Sequence, residues 1–284
     1  MRKIAVASSL WPRLILGLSL CWQLEAVADA TADAALERAL TPVLASAARS
    51  EQNRARDRYR HPAQTLAFFK VRPDAALIEL TPGGGWYAEI LAPLLRERGS
   101  YTAAILAPEK AAEAQRAYMA RARDSLLAKF KAAPDLYGAA HTVEFDPAAP
   151  MFGPPASADV VLTFRNVHNW AKAGNDAAYF RGFFAVLKPG GVLGVVDHRA
   201  LTDSPLNLDS GYILEDYVIK LATEAGFKLD ARSEINANPA DTKDYEKGVW
   251  TLPPVLRLGE QDRDKYLAIG ESDRFTLRFI KPAQ

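Results

Sequence analysis

Short apolar segments alternate with helical segments along most of this chain, and no other feature limits its possible folds as much. The apolar segments are bounded by turn residues, as is typical of buried strands; they lie at 75–80, 101–106, 141–145, 158–164, 192–196, 227–235 and 274–280. Helices are predicted at 61–69, 86–97, 108–131, 176–187 and 214–225. Strands that alternate with helices need crossovers, and these produce a mostly parallel sheet covered on both faces. The sequence therefore predicts a doubly wound α/β domain.

The first 30 residues have the pattern of a secretory signal peptide. A positive start, Met1-Arg2-Lys3, precedes a short apolar stretch from Leu14 to Trp22 and a small-residue cleavage pattern, Ala28-Asp29-Ala30. The apolar stretch is shorter than the roughly 20 residues that a spanning helix needs. Cys21 is the single cysteine, so cleavage would leave a chain suited to an oxidising compartment. We expect a periplasmic or secreted protein without stable membrane insertion after cleavage; the alternative is a buried N-terminal helix.

The remaining chain divides into a helical extension, 31–60, expected outside the core fold, and a main domain, 61–284. Four arginines close to the end of the extension are interpreted as a solvated helix face rather than a phosphate-binding patch: Arg54, Arg56, Arg58 and Arg60. A polar insert at 236–273 is either a lid over the substrate or an ordered surface loop pinned by Trp250. The net charge of +1 provides no concentrated basic surface, so no nucleic-acid partner is expected.

A glycine-rich turn follows the first predicted strand, with the sequence Glu79-Leu80-Thr81-Pro82-Gly83-Gly84-Gly85. Glycine lets a backbone turn sharply and approach a ligand closely. The helix after the turn offers free N–H groups and a positive dipole end. In an open parallel sheet, ligands bind beyond the carboxyl ends of the strands. The turn is therefore the first candidate for a ligand site.

The turn is similar to motif I of class I S-adenosylmethionine-dependent methyltransferases, acidic-x-Gly-x-Gly-x-Gly, with Thr81 in place of the first glycine. Asp159-Val160-Val161 resembles the family's fourth-strand motif, Leu187 to Leu193 its turn before strand five, and Ala225-Gly226-Phe227 its entry to strand six. The resemblance spans about 62–282 and looks closest to a group of exported bacterial predicted methyltransferases. It implies a Rossmann-like, mostly parallel seven-stranded sheet with the last strand antiparallel, and S-adenosylmethionine as cofactor.

The resemblance also implies cofactor-binding residues. It places Glu79, Thr81, Gly83 and Gly85 around the methionine and ribose end, Asp146 at the adenine amino group, and Phe164 and Arg165 beside the sulfonium. One departure concerns the acidic residue that usually ends the second strand and holds the ribose hydroxyls. Here the candidate is Glu109, which comes a few residues late. The departure puts ribose binding, and with it cofactor affinity, in question.

Polar residues follow the fourth and fifth predicted strands, at 165–170 and 197–199. Because these strands would be neighbours, we expect His168, Asp197 and His198 to share one cleft. A histidine can take a proton from a nucleophile, and Asp197 could fix its tautomer. The alternative is that both histidines only support the site wall. A metal held by His61, His168, His198 and a carboxylate has no close ligand spacing, so no metal is predicted.

These features predict methyl transfer to a small molecule, with His198 or His168 as the base. No Asn/Asp-Pro-Pro-Tyr sequence follows the fourth strand, which together with the near-neutral charge argues against DNA as the acceptor. Two alternatives stay open. The first is a non-catalytic envelope protein that uses the cleft for another ligand, since an exported enzyme would need the cofactor outside the cytoplasm. The second is different acid–base or metal-assisted chemistry in the same cleft. The oligomeric state is not predicted.

Overall fold

The computed structural model describes residues 31–202, 205 and 207–283; the predicted signal peptide lies outside the described residues. Seven strands form one sheet: β1 (Ala76–Leu80), β2 (Ser100–Leu106), β3 (Ala140–Phe145), β4 (Ala158–Phe164), β5 (Leu187–His198), β6 (Lys228–Ser233) and β7 (Arg274–Ile280). Their order is β3-β2-β1-β4-β5-β7-β6. The β1 to β5 ladders are parallel, and β7 is antiparallel to both neighbours. The predicted Rossmann-like methyltransferase fold is confirmed.

Eleven helices are described: α1 (31–44), α2 (Glu51–Arg54), α3 (Asp57–Arg60), α4 (Pro62–Phe68), α5 (Ala88–Leu95), α6 (Glu113–Ala132), α7 (Pro134–Tyr137), α8 (Val167–Ala173), α9 (Asp176–Val186), α10 (Glu215–Glu224) and α11 (Arg263–Ile269). None of the described helices is long and apolar enough to span a bilayer.

Two apolar cores cover the two faces of the sheet, because successive strand residues point to opposite sides. On β1, Leu77 joins the core that contains buried residues of α1, α4 and α5, whereas Ile78 joins the core with residues of α8, α9 and α10. The helices therefore lie on both faces, as the alternation predicts. This layering leaves the carboxyl ends of β1 and β4 side by side and open to the loops above them.

The prediction that the extension lies outside the core was wrong. Leu36 and Leu40 are buried in the same core as β1. They are four residues apart on α1, so both lie on one face of the helix. Arg49 is also buried, and its guanidinium contacts the Asp57 carboxylate at 2.7 Å. The extension is thus an integral part of the domain, and it brings α2 and α3 to the edge of the cleft described below.

Several boundaries differ from the predicted ones for local reasons. The predicted helix at 108–131 is a 3-10 turn, Pro108–Lys110, followed by α6, because Ala111 and Ala112 have extended backbones. β5 begins at Leu187 and so includes the Lys188-Pro189-Gly190-Gly191 segment that was expected to form a turn. There Gly190 donates to the Lys281 carbonyl, and Lys281 donates to that of Gly191. The insert contains a 3-10 turn, Gly248–Thr251, and α11.

Candidate functional site

A cleft of about 870 Å³ opens at the carboxyl ends of β1 and β4. The β1 turn forms one side, and the segments that follow β4 and β5 form another. The insert and the first half of α6 complete the walls. Ligand pockets in proteins usually measure about 300 to 1,000 Å³. The cleft therefore has the volume for a nucleoside-sized ligand together with a second small molecule.

Glu79 lies on the floor of this cleft at the end of β1, and its side chain is buried. Its Oε2 accepts a 2.6 Å hydrogen bond from the Tyr101 hydroxyl. Burial raises the pKa of Glu79 to about 7, although the Tyr101 hydroxyl and the charges of Arg60 and Lys129 pull the pKa down. Near neutral pH this carboxyl group therefore exchanges a proton easily, and a cationic ligand group would favour its ionised form.

The backbone of the β1 turn borders open space at one of its glycines, so a ligand could contact the backbone there. Gly83 and Gly85 have φ of 57° and 77°, values that glycine adopts without cost. A Cβ added at Gly83 would meet no atom within 4 Å, so the chain there borders open space. A Cβ at Gly85 would lie 2.9 Å from Leu126 of α6. Gly83 thus leaves room for a ligand, whereas Gly85 is needed for packing against α6.

Thr81 stands where the methyltransferase motif that this turn resembles has its first glycine, and its backbone has the left-handed conformation that glycine favours. Its φ is 48°, in the left-handed region that a β-branched residue rarely adopts. Its N–H donates to the Ala104 carbonyl at 2.8 Å, and its buried Oγ1 has no hydrogen-bond partner in the described structure. Such strain persists where the surrounding structure imposes it, often at ligand sites.

We expect Thr81→Gly to stabilise the protein by about 1 kcal/mol. Releasing the strained residue gains about 1 to 3 kcal/mol, and the extra freedom of glycine in the unfolded chain costs about 0.5 to 1 kcal/mol. Urea unfolding would measure the change. Thr102→Gly on the extended strand β2 is the matched control, and it should lose about 1 kcal/mol. If both variants were equally destabilised, strain at Thr81 would be excluded.

The β2 end of the cleft carries no carboxylate among the described residues that line it. Leu106, Ala111 and Gln115 form that wall, while Glu109 is exposed and outside it. Asp146 is also outside the wall, although its neighbour Pro147 lines it. The Asp146 carboxylate instead accepts a hydrogen bond from the backbone N–H of Ala148. Where the resemblance implies the ribose and adenine contacts, the described wall is thus mostly apolar, with the Gln115 amide and no carboxylate.

Asp197 organises the opposite side of the cleft from a fully buried position at the end of β5. Its Oδ1 lies 2.8 Å from Nδ1 of His168 and accepts the backbone N–H of His198 at 2.8 Å. Its Oδ2 accepts the backbone N–H groups of Val167 and His168 at 2.8 and 3.3 Å. A carboxylate bound to Nδ1 holds the proton there and leaves Nε2 of His168 able to accept one. This arrangement suits a general base.

His198 is the second histidine in the cleft wall, and its ring centroid lies 5.2 Å from that of His168. Its Nδ1 is 2.5 Å from Oγ of Ser272 in the insert. Burial, together with the charges of His168, Arg165 and other arginines, lowers the pKa of His198 well below the usual value. His198 is therefore neutral at physiological pH and able to exchange hydrogen bonds with a ligand.

The side chains of His168, Asp197 and His198 could in principle hold a metal ion, since one ligand atom from each lies within 4.8 Å of the others. The electrostatic surroundings oppose this. Both Asp197 oxygens already accept two N–H groups each. Besides His168, three arginines lower the pKa of His198, and these arginines would also repel a cation: Arg165, Arg274 and Arg60. The geometry thus fits histidine orientation better than metal binding.

Phe164 and Arg165 line the cleft where β4 ends, as the resemblance implies. The Phe164 ring stacks on that of Tyr87, with centroids 3.6 Å apart and planes 13° apart. Arg165 has a φ of 61°, so the chain turns in the left-handed region immediately after the strand. Asn166 then donates to the carbonyl of Leu80 at 3.0 Å and so ties the loop to β1. Both sides of the cleft are therefore held together at the floor.

Four arginines approach the floor of the cleft around one carboxylate, Glu271 of the insert. Arg56 contacts Oε1 of Glu271 at 2.6 Å, and Arg60 and Arg274 contact Oε2 at 3.2 and 2.7 Å. Arg165 is the fourth, and it affects the pKa of Glu271 without a hydrogen bond to it. Together these arginines hold the pKa of Glu271 far below its usual value against the effect of burial. This arginine cluster is the most strongly charged part of the cleft.

The insert contributes a wall that includes Trp250. The Trp250 ring lies 6.3 Å from that of His168, and the guanidinium of Arg257 stacks over it at 4.9 Å. The neighbouring Val249 and Leu252 are buried. Trp250 therefore lies at the edge of the cleft, between His168 and Arg257 of the insert.

Solved structures share this architecture at low sequence identity. One is a SAM-dependent methyltransferase from Aquifex aeolicus, 14% identical, with a TM-score of 0.53 over 80% of this chain and 93% of that chain. Another is the [4+2]-cyclase SpnF, 15% identical, with a TM-score of 0.56 over 84% of this chain and 86% of that chain. No protein-family model and no curated protein sequence matches the chain. The structural likenesses show the Rossmann-like methyltransferase fold.

Most of the predicted site residues meet in the cleft. Seven of them line it: Glu79, Thr81, Gly83, Phe164, Arg165, His168 and His198. Asp197 is buried behind the cleft wall and contacts His168. Gly85 packs against α6 behind the turn, and Asp146 points elsewhere. The sequence interpretation missed the role of the arginine run. Arg56 and Arg60 are not on a solvated face; their charge stood out in the sequence, but Glu271 lies more than 200 positions away in the chain.

Proposed function

We propose that the protein transfers a methyl group from S-adenosylmethionine to a small acceptor bound in the cleft. One observation carries this proposal. A single cleft has the Glu79 turn on one side and, on the other, a histidine oriented by a buried carboxylate. The fold shared with a methyltransferase supports the proposal without identifying the acceptor.

The residues at the β1 turn fit the methionine end of the cofactor. The open space beside Gly83 admits a ligand, and the buried Glu79 carboxyl has no arginine or lysine hydrogen-bonded to it among the described residues. An ammonium group would supply that partner and hold Glu79 in its ionised form. When bound, the cofactor supplies an electrophilic methyl group. The apolar β2 end fits the ribose less well, because it provides no carboxylate for the hydroxyls.

On the acceptor side, Nε2 of His168 would take the proton that the acceptor loses as it is methylated. The Asp197 carboxylate holds the ring in place and stabilises the imidazolium that results. Trp250 and Pro254 of the insert line the same cleft. Alignment and proton removal are the main demands of such a direct displacement.

Calorimetric titration with S-adenosylmethionine and S-adenosylhomocysteine tests the proposal. We expect both to bind and Glu79→Gln to weaken each by about 10- to 100-fold, the usual effect of removing a charged hydrogen-bond partner. Glu109→Gln is the matched control, because Glu109 is exposed and outside the cleft wall, and it should change affinity less than twofold. Absence of binding to the folded wild-type protein would exclude the proposal. An effect of Glu109→Gln equal to that of Glu79→Gln would place the ribose beside Glu109.

A second candidate is a protein that keeps this fold but binds or transforms another ligand without methyl transfer. The apolar β2 end favours it, because a ribose would find no carboxylate there. The structural likeness to a [4+2]-cyclase illustrates that proteins of this fold have other activities. The same titration separates the two candidates, since this one predicts no affinity for either cofactor form.

We also propose that the protein is exported and acts in the periplasm or outside the cell, with a small molecule rather than nucleic acid as its partner. The Met1–Ala30 pattern and the cysteine-free remainder support export. N-terminal sequencing of the protein from its native cells would test this, with Thr31 as the expected first residue. Retention of Met1 would contradict it.

A further inference from the structure

The arginine cluster has more positive charge than the protein neutralises. Arg56, Arg60 and Arg274 all contact Glu271, whose two oxygens are thereby used. The backbone N–H of Arg165 donates to the Val196 carbonyl, but its guanidinium makes no ion pair with a described residue and does not hydrogen-bond to Glu271. Grouping like charges in a buried site is costly unless opposite charges compensate them. The cluster therefore has the electrostatics of an anion-binding site.

Two nearby carboxylates balance the charge of the four arginines only in part. Glu79 has a pKa raised by burial to about 7, so it is only partly ionised near neutral pH. The charge of Asp197 raises the pKa of Arg165, but the Asp197 oxygens bind His168 and backbone N–H groups, and Asp197 makes no ion pair with an arginine among the described residues. The excess of positive charge remains at Arg165, whose pKa is lowered to about 10 by burial and by Arg274 and Arg56, with Glu271 acting in the opposite sense. Arg165 is thus still a cation at physiological pH.

Unused hydrogen-bond donors accompany this charge. Nη2 of Arg56 and Nη2 of Arg60 are buried and have no hydrogen-bond partner in the described structure. The Arg60 side chain is 3% exposed and lines the cleft. A buried charged donor without a partner is more costly than a neutral one, so these donors favour a ligand that accepts hydrogen bonds from them. Guanidinium donors match the oxygens of carboxylate and phosphate groups in geometry as well as in charge.

The position of the cluster separates it from the β1 turn. Arg60, Arg165 and Arg274 line a small recess of about 10 Å³ in the cleft floor, with Val196 of β5 and Asn236 of the insert on its walls. The residues of the glycine turn are not among those that line this recess. The recess holds about one water-sized group, which is the size of one ligand oxygen. An anion bound there lies on the β4, β5 and β7 side of the cleft.

We propose that the arginine cluster binds a carboxylate or phosphate group of the small molecule that occupies the β4–β5 side of the cleft, and that this group is distinct from the carboxylate of the cofactor. The identification of this small molecule as the methyl acceptor rests on the proposed function. The existence of the anion site does not depend on it. The proposal makes Arg165 a specificity-determining residue, because it is the arginine in the cluster without a partner in the protein. Neutral analogues of the ligand would leave its charge uncompensated.

Titration with inorganic phosphate and with acetate, at ionic strength held constant with chloride, tests the site in the whole protein. We expect saturable binding that Arg165→Gln weakens about tenfold or more, as for removal of a charged hydrogen-bond partner. Arg165→Lys keeps the charge and should restore part of the affinity. Arg58→Gln is the matched control, since Arg58 is exposed beside the cluster on α3 and the substitution removes the same charge. Circular dichroism and thermal melting establish that each variant is folded.

A second titration tests whether the anion belongs to a separate small molecule or is the carboxylate of the cofactor. Phosphate is titrated again in the presence of saturating S-adenosylhomocysteine, and separately with 5′-methylthioadenosine, which lacks the amino acid carboxylate. Phosphate affinity that stays within twofold in both mixtures supports the proposal. Competition by S-adenosylhomocysteine but not by 5′-methylthioadenosine would overturn it, because the arginines would then hold the cofactor's own carboxylate.

The outcomes also separate this proposal from the proposed function. Phosphate binding that is lost in Arg165→Gln, in a protein that binds neither cofactor form, would support the anion site and exclude methyl transfer. Equal losses in Arg165→Gln and Arg58→Gln, or no saturable binding of either anion by the wild type, would overturn the anion site whatever the cofactor result.

Discussion

At pH 8, the Glu79→Gln variant is expected to be more stable than the wild type by up to about 3 kcal/mol, although the substitution lies in the ligand site. The reason is the buried position of the Glu79 carboxyl, whose pKa is raised from 4.5 to about 7 in the folded protein. Each pKa unit corresponds to about 1.4 kcal/mol. Glutamine keeps the acceptor for the Tyr101 hydroxyl but has no charge to desolvate. At this pH the wild type is therefore less stable than the variant, because it keeps an ionisable carboxyl group buried in the ligand site.

The pH dependence of this effect has a definite sign. The folded protein keeps the Glu79 proton up to about pH 7, whereas the unfolded chain loses it near pH 4.5. Because the folded state binds more protons in this interval, the contribution of Glu79 to stability falls as the pH rises from 4.5 to 7 and is constant above that. The difference between Glu79→Gln and the wild type should thus be near zero at pH 4 and reach its maximum above pH 7. Urea unfolding at a series of pH values measures it.

Two other variants sharpen this test. Glu97→Gln removes an exposed carboxyl close to the end of α5. The free energy of unfolding of this variant should differ from that of the wild type by the same amount at every pH. Tyr101→Phe removes the hydrogen bond that lowers the pKa of Glu79. In this variant the free energy of unfolding should therefore keep falling to a higher pH than in the wild type. A Glu79→Gln variant less stable than the wild type at pH 8 would contradict the raised pKa and show that the ionised carboxyl is stabilised in the free protein.

The Asp197→Ala variant should lose about 4 kcal/mol or more of stability and the proton-accepting geometry of His168. Asp197 accepts the backbone N–H groups of Val167, His168 and His198 in addition to Nδ1 of His168. Each buried donor left without a partner costs about 1 to 3 kcal/mol. Denaturant unfolding gives the stability loss. The ¹⁵N shifts of the His168 ring report the tautomer, which should change from an Nδ1–H form to a mixture.

Asp176→Ala provides the comparison for a buried carboxylate with fewer partners. Asp176 accepts hydrogen bonds from the Tyr217 hydroxyl at 2.6 Å and from the N–H of Ala177 at 3.0 Å. We expect a loss of about 1 to 2 kcal/mol, as for one or two hydrogen bonds, and no change at His168. Asp197→Asn keeps the size of the side chain but replaces one acceptor oxygen with an NH₂ group. This donor would face N–H groups that the carboxylate accepts in the wild type. If Asp197→Asn kept both wild-type stability and the His168 tautomer, the organising role of the carboxylate would be wrong.

The sequence by itself determined the layers of the fold and the place of the cleft. The alternation of strands and helices predicted the sheet, with β4 and β7 at the observed bounds. The glycine turn after β1 marked the ligand side, and neighbouring strands brought His168 and Asp197 together as expected. These features are local, because periodicity and turn residues can be recognised within segments of about ten residues. Topology rules then place the carboxyl ends of parallel strands at one edge of the sheet.

Only the tertiary structure decided which charges face each other. Arg60 and Glu271 are 211 positions apart, and nothing in the spacing of the Arg56–Arg60 segment separates a solvated face from a cleft wall. That outcome depends on tertiary packing, which brings Arg56 and Arg60 into contact with Glu271 of the insert. The apolar β2 end is a similar case, since a backbone turn after Leu106 left Glu109 exposed. Charge partners and pKa values follow from burial and distance, which long-range packing sets and local sequence patterns do not encode.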